Sequence, residues 1–183
     1  MLKKINQLFQ KKSIPDPGTN ESWNKYIQPI LDSWQHWDNY SWVWDPFYEK
    51  YPKFSAEQRA EVDDALVTCA FDSTKEKSAT RAFGIAGFLQ TNQLASSRLA
   101  ELMRKGLRDR VSSLDPDSAL TFDYVVAFNF FEVKEAIPHL HELILQLEKK
   151  KVNGSLDERP SPRSHTFRQL IEACSSAIQE LNS

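Results

Sequence analysis

Apolar residues in this chain recur every three to four positions in segments of helix length, and strand-like alternation is nearly absent. Such spacing gives each segment one apolar face, which a lone helix cannot bury. Leu2, Ile5, Leu8 and Phe9 make a short first stripe, ended by Pro15-Asp16-Pro17-Gly18. Trp23, Tyr26, Ile27, Ile30, Leu31, Trp34 and Trp37 form a second, with Pro29 set to kink or interrupt it. Asp45-Pro46 has the form of an N-cap followed by proline at the first helical position. Ser55-x-x-Gln58 is a capping box ahead of Val62, Ala65, Leu66 and Cys69, and Ser73-x-x-Glu76 predicts a second one for a helix through Leu89. That helix carries Ala79, Ala82, Gly84, Ala86 and Gly87, a small-residue face expected to pack tightly enough to offset its two glycines.

Further helices are expected to start at Asn92, with Leu94, Ala95, Leu99, Leu102, Met103 and Leu107 inward, and at Asp115-Pro116, with Leu120, Tyr124, Ala127, Phe128 and Phe131 inward. The next has Glu132 and Glu135 at its start and Lys149, Lys150 and Lys151 at its end, complementing the helix dipole, and stops at Asn153-Gly154. After a polar loop from Ser155 to Arg163, a last helix bears Phe167, Leu170, Ile171, Cys174, Ile178 and Leu181.

A repeat runs through these segments. Leu94-Ala95-x3-Leu99-x2-Leu102 matches Glu135-Ala136-x3-Leu140-x2-Leu143 at an offset of 41 residues. Glu135-Ala136-Ile137-Pro138-His139-Leu140-x2-Leu143-Ile144 resembles the first-helix motif of the HEAT-repeat family, A-I-P-x-L-x-x-L, and Tyr26-Ile27-Gln28-Pro29-Ile30-Leu31 is a fainter version. Arg81-x-x-Gly84-x-Ala86-x3-Gln90 is similar to the second-helix pattern, without its valine and with Phe88-Leu89 in place of its final pair. The resemblance covers residues 73–182 and extends more weakly over 1–72; the loop 152–163 is longer than the tight turn usual in that family. It implies an all-α, right-handed α-solenoid of stacked antiparallel helix pairs, about eight helices in all, and a role in binding partners. The chain then reads as one domain: residues 1–18 a helix and linker, 19–54 an aromatic-rich part, and 55–183 the HEAT-like pairs.

Composition excludes several alternatives. At 183 residues, 40% hydrophobic and 26% charged, the chain is neither disordered nor membrane-embedded in character. No apolar run approaches the ~18 residues of a spanning helix, and the basic start MLKKINQLFQKK lacks the apolar stretch of a secretory signal. Cys69 and Cys174 fall on apolar helical faces and read as buried free thiols, which suits a cytoplasmic location.

Catalytic patterns are missing from the sequence: it holds no G-x-S-x-G, Walker, H-E-x-x-H or C-x-x-C motif. Glu135, His139 and Glu142 share a helix face, but a carboxylate di-metal bundle needs such a motif twice. No cofactor or metal is implied, and the chain is read as a binding protein, not an enzyme.

Charge and aromatic side chains then mark the candidate surfaces. Residues 31–72 carry nine acidic and three basic groups, residues 73–111 three acidic and eight basic. All five tryptophans and four of the five tyrosines lie between residues 23 and 51. Trp37, Tyr40, Trp42 and Trp44 fall where a helix is expected to end, and two roles stand open for them: rings that close the end of the stack, or a recognition patch of the type that dominates interface hot spots. Glu57, Glu61 and Asp64, with Asp63 adjacent, form an acidic line suited to steering a basic protein partner. Arg98, Arg104, Lys105, Arg108 and Arg110 offer the opposite sign for phosphates, although the net charge of −2 argues against a nucleic-acid role. The expected function is partner binding, with an immunity protein that blocks a toxin domain as the specific form and a scaffold or adaptor in a cytoplasmic complex as the alternative.

Overall fold

Ser55 opens its helix as the sequence promises. The Gln58 amide donates to Ser55 Oγ at 3.2 Å and the Ser55 amide donates to Gln58 Oε1 at 2.9 Å, so the box satisfies two orphan donors reciprocally. The computed structural model describes residues 48, 50–72, 74–153, 159 and 165–183. Among the described residues there is no strand, and the α-helices are α1 (Ala56–Ala70), α2 (Glu76–Thr91), α3 (Ser97–Arg108), α4 (Thr121–Phe130), α5 (Ile137–Asn153) and α6 (Phe167–Leu181). The chain is all-helical over these residues; the expected helices before residue 48 lie outside them.

Several starts differ from expectation for local reasons. Ser73 lies outside the described residues, and Glu76 is the first residue of α2, with Lys75 preceding it as a cap without a side-chain bond. A turn comes before it, in which the Asp72 carboxylate takes the Thr74 amide at 3.0 Å and the Thr74 hydroxyl at 2.6 Å. Asn92 ends α2 instead of starting α3: its side-chain amide donates to the Phe88 carbonyl at 2.9 Å. Ser96 caps α3, accepting the Leu99 amide at 2.9 Å. Asp115 folds the chain into a turn by accepting the Asp117 amide at 2.9 Å, and α4 begins only at Thr121. Thr166-x-x-Gln169 is a second complete capping box, at the start of α6. The sequence reading passed over it although the pattern is the same as at Ser55.

The exits of α2 and α4 share one device. Gln93 (φ 57°) and Glu132 (φ 54°) adopt the left-handed region. The following amides, Leu94 and Val133, each reach back to the carbonyls of Leu89 and Phe128 at 2.8 Å, while Gln93 and Glu132 donate to Gln90 and Asn129. This is a Schellman closure, with an apolar residue on either side of the bond. The two closures are 39 residues apart, but Leu99 and Leu140 are 41 apart, because the connection into α5 holds two extra residues that wind a 3-10 turn at Lys134–Ala136. First helices begin at Ala56, Ser97 and Ile137, close to the 41-residue period of the sequence. Leu99 and Leu140 are both fully buried, but the match loosens one turn later: Met103, not Leu102, joins the core in α3, while Leu143 does so in α5.

Helices pack in the pairs α1–α2, α3–α4 and α5–α6, and the pairs are joined through α1–α3, α2–α4 and α4–α6. The core runs through these junctions, from Val62 and Leu66 through Ala82, Ile85, Leu99, Met103 and Phe128 to Leu140, Leu147 and Cys174. Edge-to-face rings stitch α1 to α2 to α4: Phe71 to Phe83 at 5.5 Å and Phe83 to Tyr124 at 5.3 Å. Ahead of α6, His165 stacks on Phe122 of α4 at 3.5 Å. Both cysteines are buried free thiols, and burial pushes the Cys174 thiol up to about 12.

The small-residue face of α2 divides. A methyl at Gly87 would overlap the Phe130 ring of α4, so glycine there is what lets α2 and α4 approach. Gly84 is exposed and a methyl there would meet nothing within 4 Å, so its expected packing role is corrected. Gly106 in α3 has the packing role instead, since it lies beneath the Phe71 ring.

Candidate partner-binding surface

The acidic line on α1 is assembled by helical spacing. Glu57, Glu61 and Asp64 fall at i, i+4 and i+7, and all three are exposed together with Thr68 on the same side of the helix. Glu57, in the first turn, also suits the positive end of the helix dipole. Asp63, adjacent in sequence, belongs to a different environment. It is 1% exposed and accepts the Tyr51 phenol and the Ser96 hydroxyl at 2.5 Å each, one on either carboxylate oxygen. Ser96 in turn caps α3, and its amide reaches the Tyr51 oxygen at 3.4 Å. One buried carboxylate thus ties the 3-10 turn at Tyr51–Lys53 and the start of α3 to the middle of α1. Burial holds Asp63 above the usual carboxylate range, and the two donated bonds oppose that shift. Asp63 is therefore a structural residue. It lies one step from the acidic line, on the same arc as Val62 and Leu66.

The acidic and basic candidates meet. Asp64 forms an ion pair with Arg98 of α3 at 2.7 Å, with both side chains about half exposed. Arg108 pairs with Glu135 ahead of α5 at 3.0 Å, also half exposed. Arg104 Nε donates to the Phe131 carbonyl at 2.9 Å, which places a cation on the last carbonyls of α4. Three of the five basic residues expected to face phosphates are thus engaged between helices. Lys105 is exposed. Lys150 reaches Asp117 at 2.5 Å and lies over the Phe167 ring, 5.0 Å from its centre.

Of the aromatic candidates, Trp37, Tyr40, Trp42 and Trp44 lie outside the described residues. Tyr51, at the edge of that cluster, is core, and its burial beside the Asp63 carboxylate raises its phenol well above the ordinary value. Tyr48 stacks on Phe88 at 3.9 Å between ring centres. Phe88 and Leu145 are the large apolar side chains left exposed among the described residues.

Asp123, which the sequence reading did not single out, is held by the Thr80 hydroxyl at 2.7 Å across the α2–α4 junction, and burial pushes its carboxyl up to about 6. Glu135 of the Glu135-His139-Glu142 face is taken up by Arg108, and among the described residues no three His, Cys, Asp or Glu side chains converge to hold a metal ion. No described helix is long and apolar enough to cross a membrane.

The arrangement can present an exposed row of carboxylates on a helix anchored from beneath by Asp63, with Asp64 paired to Arg98 at the end of the row. Comparison with family models, with curated proteins and with solved structures returns no match.

Proposed function

We propose that this chain is a short, right-handed α-solenoid of the HEAT type that binds a protein partner without catalysis. The partner offers a basic surface to Glu57 and Glu61, with Asp64, paired to Arg98, at the end of the same line. What supports the solenoid is the packing in three helix pairs, joined through α1–α3, α2–α4 and α4–α6, together with first helices that recur close to every 41 residues. What supports the binding face is one observation: a line of exposed carboxylates along the outer side of a helix that is anchored on its other sides. Such a row raises the encounter rate with a basic partner and rejects like-charged ones. A toxin domain that handles nucleic acid has that kind of surface, and an immunity protein is the specific form of this reading. A nucleic-acid role is disfavoured, because Arg98, Arg104 and Arg108 are used to join helices.

The experiment is co-expression with the product of the neighbouring reading frame. Rescue of growth and co-purification of the two chains are expected. In Glu57→Lys/Glu61→Lys the complex should weaken at least tenfold, about 1.4 kcal/mol, with a flatter dependence on salt and an unchanged helical spectrum. Undiminished binding by that variant removes the α1 face from the proposal. A chain that co-purifies with several housekeeping proteins, and rescues nothing, is the scaffold or adaptor instead.

A further inference from the structure

α4 runs between α2 and α6, and both of those helices carry exposed residues while none of the ten residues of α4 is exposed. Thr121, Tyr124, Val125, Ala127 and Phe128 are buried, and the other five are half-buried. At about 100° per residue those five share one arc. Val126 lies at its centre, Asp123 and Phe130 toward α2, Phe122 and Asn129 toward α6. Their contacts agree with that order: Asp123 accepts the Thr80 hydroxyl at 2.7 Å, Phe130 lies over Gly87, Phe122 stacks on His165, and Asn129 donates to Glu180. The outer line of α4 is thus the floor of a groove walled by α2 and α6.

The α2 wall of this groove has a gap. Thr80 and Asp123 are 43 residues apart, as are Gly87 and Phe130, so the two helices run parallel and Gly84 comes beside Val126 and Ala127. Gly84 is exposed, and a methyl there would meet nothing within 4 Å. Val126 is half-buried without packing on the core. Asp123 stands at one end of the gap with its bonding incomplete. Thr80 donates to Oδ2, and among the described residues no donor reaches Oδ1 and no cation pairs with the carboxylate. Elsewhere the chain matches such groups: Asp63 takes two hydroxyls, and Asp64, Asp117 and Glu135 each hold a cation. A half-buried carboxylate without a cation is costly to keep ionised.

We propose that this notch receives a basic side chain from a segment of a protein partner, arginine above lysine, with Asp123 as its counter-charge and an apolar neighbour of that side chain resting on Val126. The incoming cation supplies the donor that Oδ1 lacks, and a planar guanidinium can serve both carboxylate oxygens. Gly84, without a side chain, lets the backbone of the segment come close to α2. A nucleic acid fits badly, because Asp123 repels phosphate and α4 carries no lysine or arginine. The notch is built from α2 and α4, apart from the carboxylates of α1, so the inference stands whether or not the α1 row binds a partner.

Selection of a phage-displayed random-peptide library on the full chain tests this. The selected peptides should share an arginine or lysine beside a leucine, valine or phenylalanine. For a synthetic copy of one of them, Asp123→Asn should raise Kd about tenfold or more. Gly84→Phe should do the same, because its ring leans over the preceding turn toward Asp123. Both variants should keep the far-ultraviolet helix spectrum, since asparagine retains an acceptor for Thr80 and the space at Gly84 is open. Glutamine in place of the peptide's basic residue should weaken binding to the native chain about tenfold and make no further difference to Asp123→Asn, the signature of a direct pair. A library that returns no binder, or binders without a cation, overturns the proposal. So do peptides held equally by the native chain and by Asp123→Asn, or peptides that Glu57→Lys/Glu61→Lys releases while Asp123→Asn retains them.

Discussion

Gly84 and Gly87 stand three residues apart on one helix, yet they lead to opposite consequences. Gly84→Ala removes a helix-interior glycine with open space around it and should stabilise the protein by about 0.5–1 kcal/mol. Gly87→Ala must push the Phe130 ring aside and should destabilise by about 1–3 kcal/mol. Urea unfolding midpoints of the two variants separate them, and equal shifts would mean that the α2–α4 contact is looser than described. Asp123 gives a pH signature. Its folded carboxyl titrates near 6 and the ordinary value is 3.8, so between these the folded chain holds a proton that the unfolded chain has lost. The contribution of Asp123 to stability therefore falls as pH rises from about 4 to about 6 and stays lower above that. Asp123→Asn keeps an acceptor for Thr80 and has no charge to bury. It should gain on the wild type by about 1–3 kcal/mol on going from about pH 4 to pH 7, a range lowered for the partial exposure of the side chain. A gap between the two proteins that does not change with pH would mean that Asp123 is solvated.

At the scale of elements, caps explain where helices start better than periodicity does. Ser55 and Ser96 are both N-caps, 41 residues apart, but only Ser96 also donates to the buried Asp63 carboxylate. Ser55→Ala should cost about 1 kcal/mol and Ser96→Ala about 2–4 kcal/mol, because the second leaves a buried acceptor short of a donor. Thermal or urea unfolding checks the order, and a reversed order would remove the Tyr51–Asp63–Ser96 network from the account. The starts at Ser55 and the stop at Asn153 were legible in the sequence because a cap is a local event within one turn. Asn92 and Asp115 misled for a related reason. Asn and Asp side chains bind nearby backbone in turns as readily as at caps, and here Asn92 closes α2 and Asp115 shapes the turn before α4.

At the scale of the whole molecule, the ion pairs between helices among the described residues add little to stability. The pairs Arg98–Asp64 and Arg108–Glu135 are about half exposed, so each is worth roughly 0–1 kcal/mol. Arg98→Ala should therefore leave stability within about 1 kcal/mol of the wild type, and 1 M salt should add little to that change, as read from urea midpoints. A larger loss would show that the pair is shielded from water and that the acidic face is less open to a partner than proposed.

The sequence by itself determined that the chain is helical, which faces are apolar and, at Ser55, where a helix begins. Each of these follows from interactions within one or two turns of backbone. Only the tertiary structure decided that Asp63 is buried while Asp64 is not, that Gly87 and Gly106 rather than Gly84 admit a neighbouring ring, and that Arg98, Arg104 and Arg108 turn to groups 27 to 34 residues away in sequence. The physical reason is that a helix fixes the angular order of its side chains but not the angle at which the whole face meets its neighbours. That angle comes from how the cores interdigitate, and with it comes the choice of which charges pair and which remain for a partner.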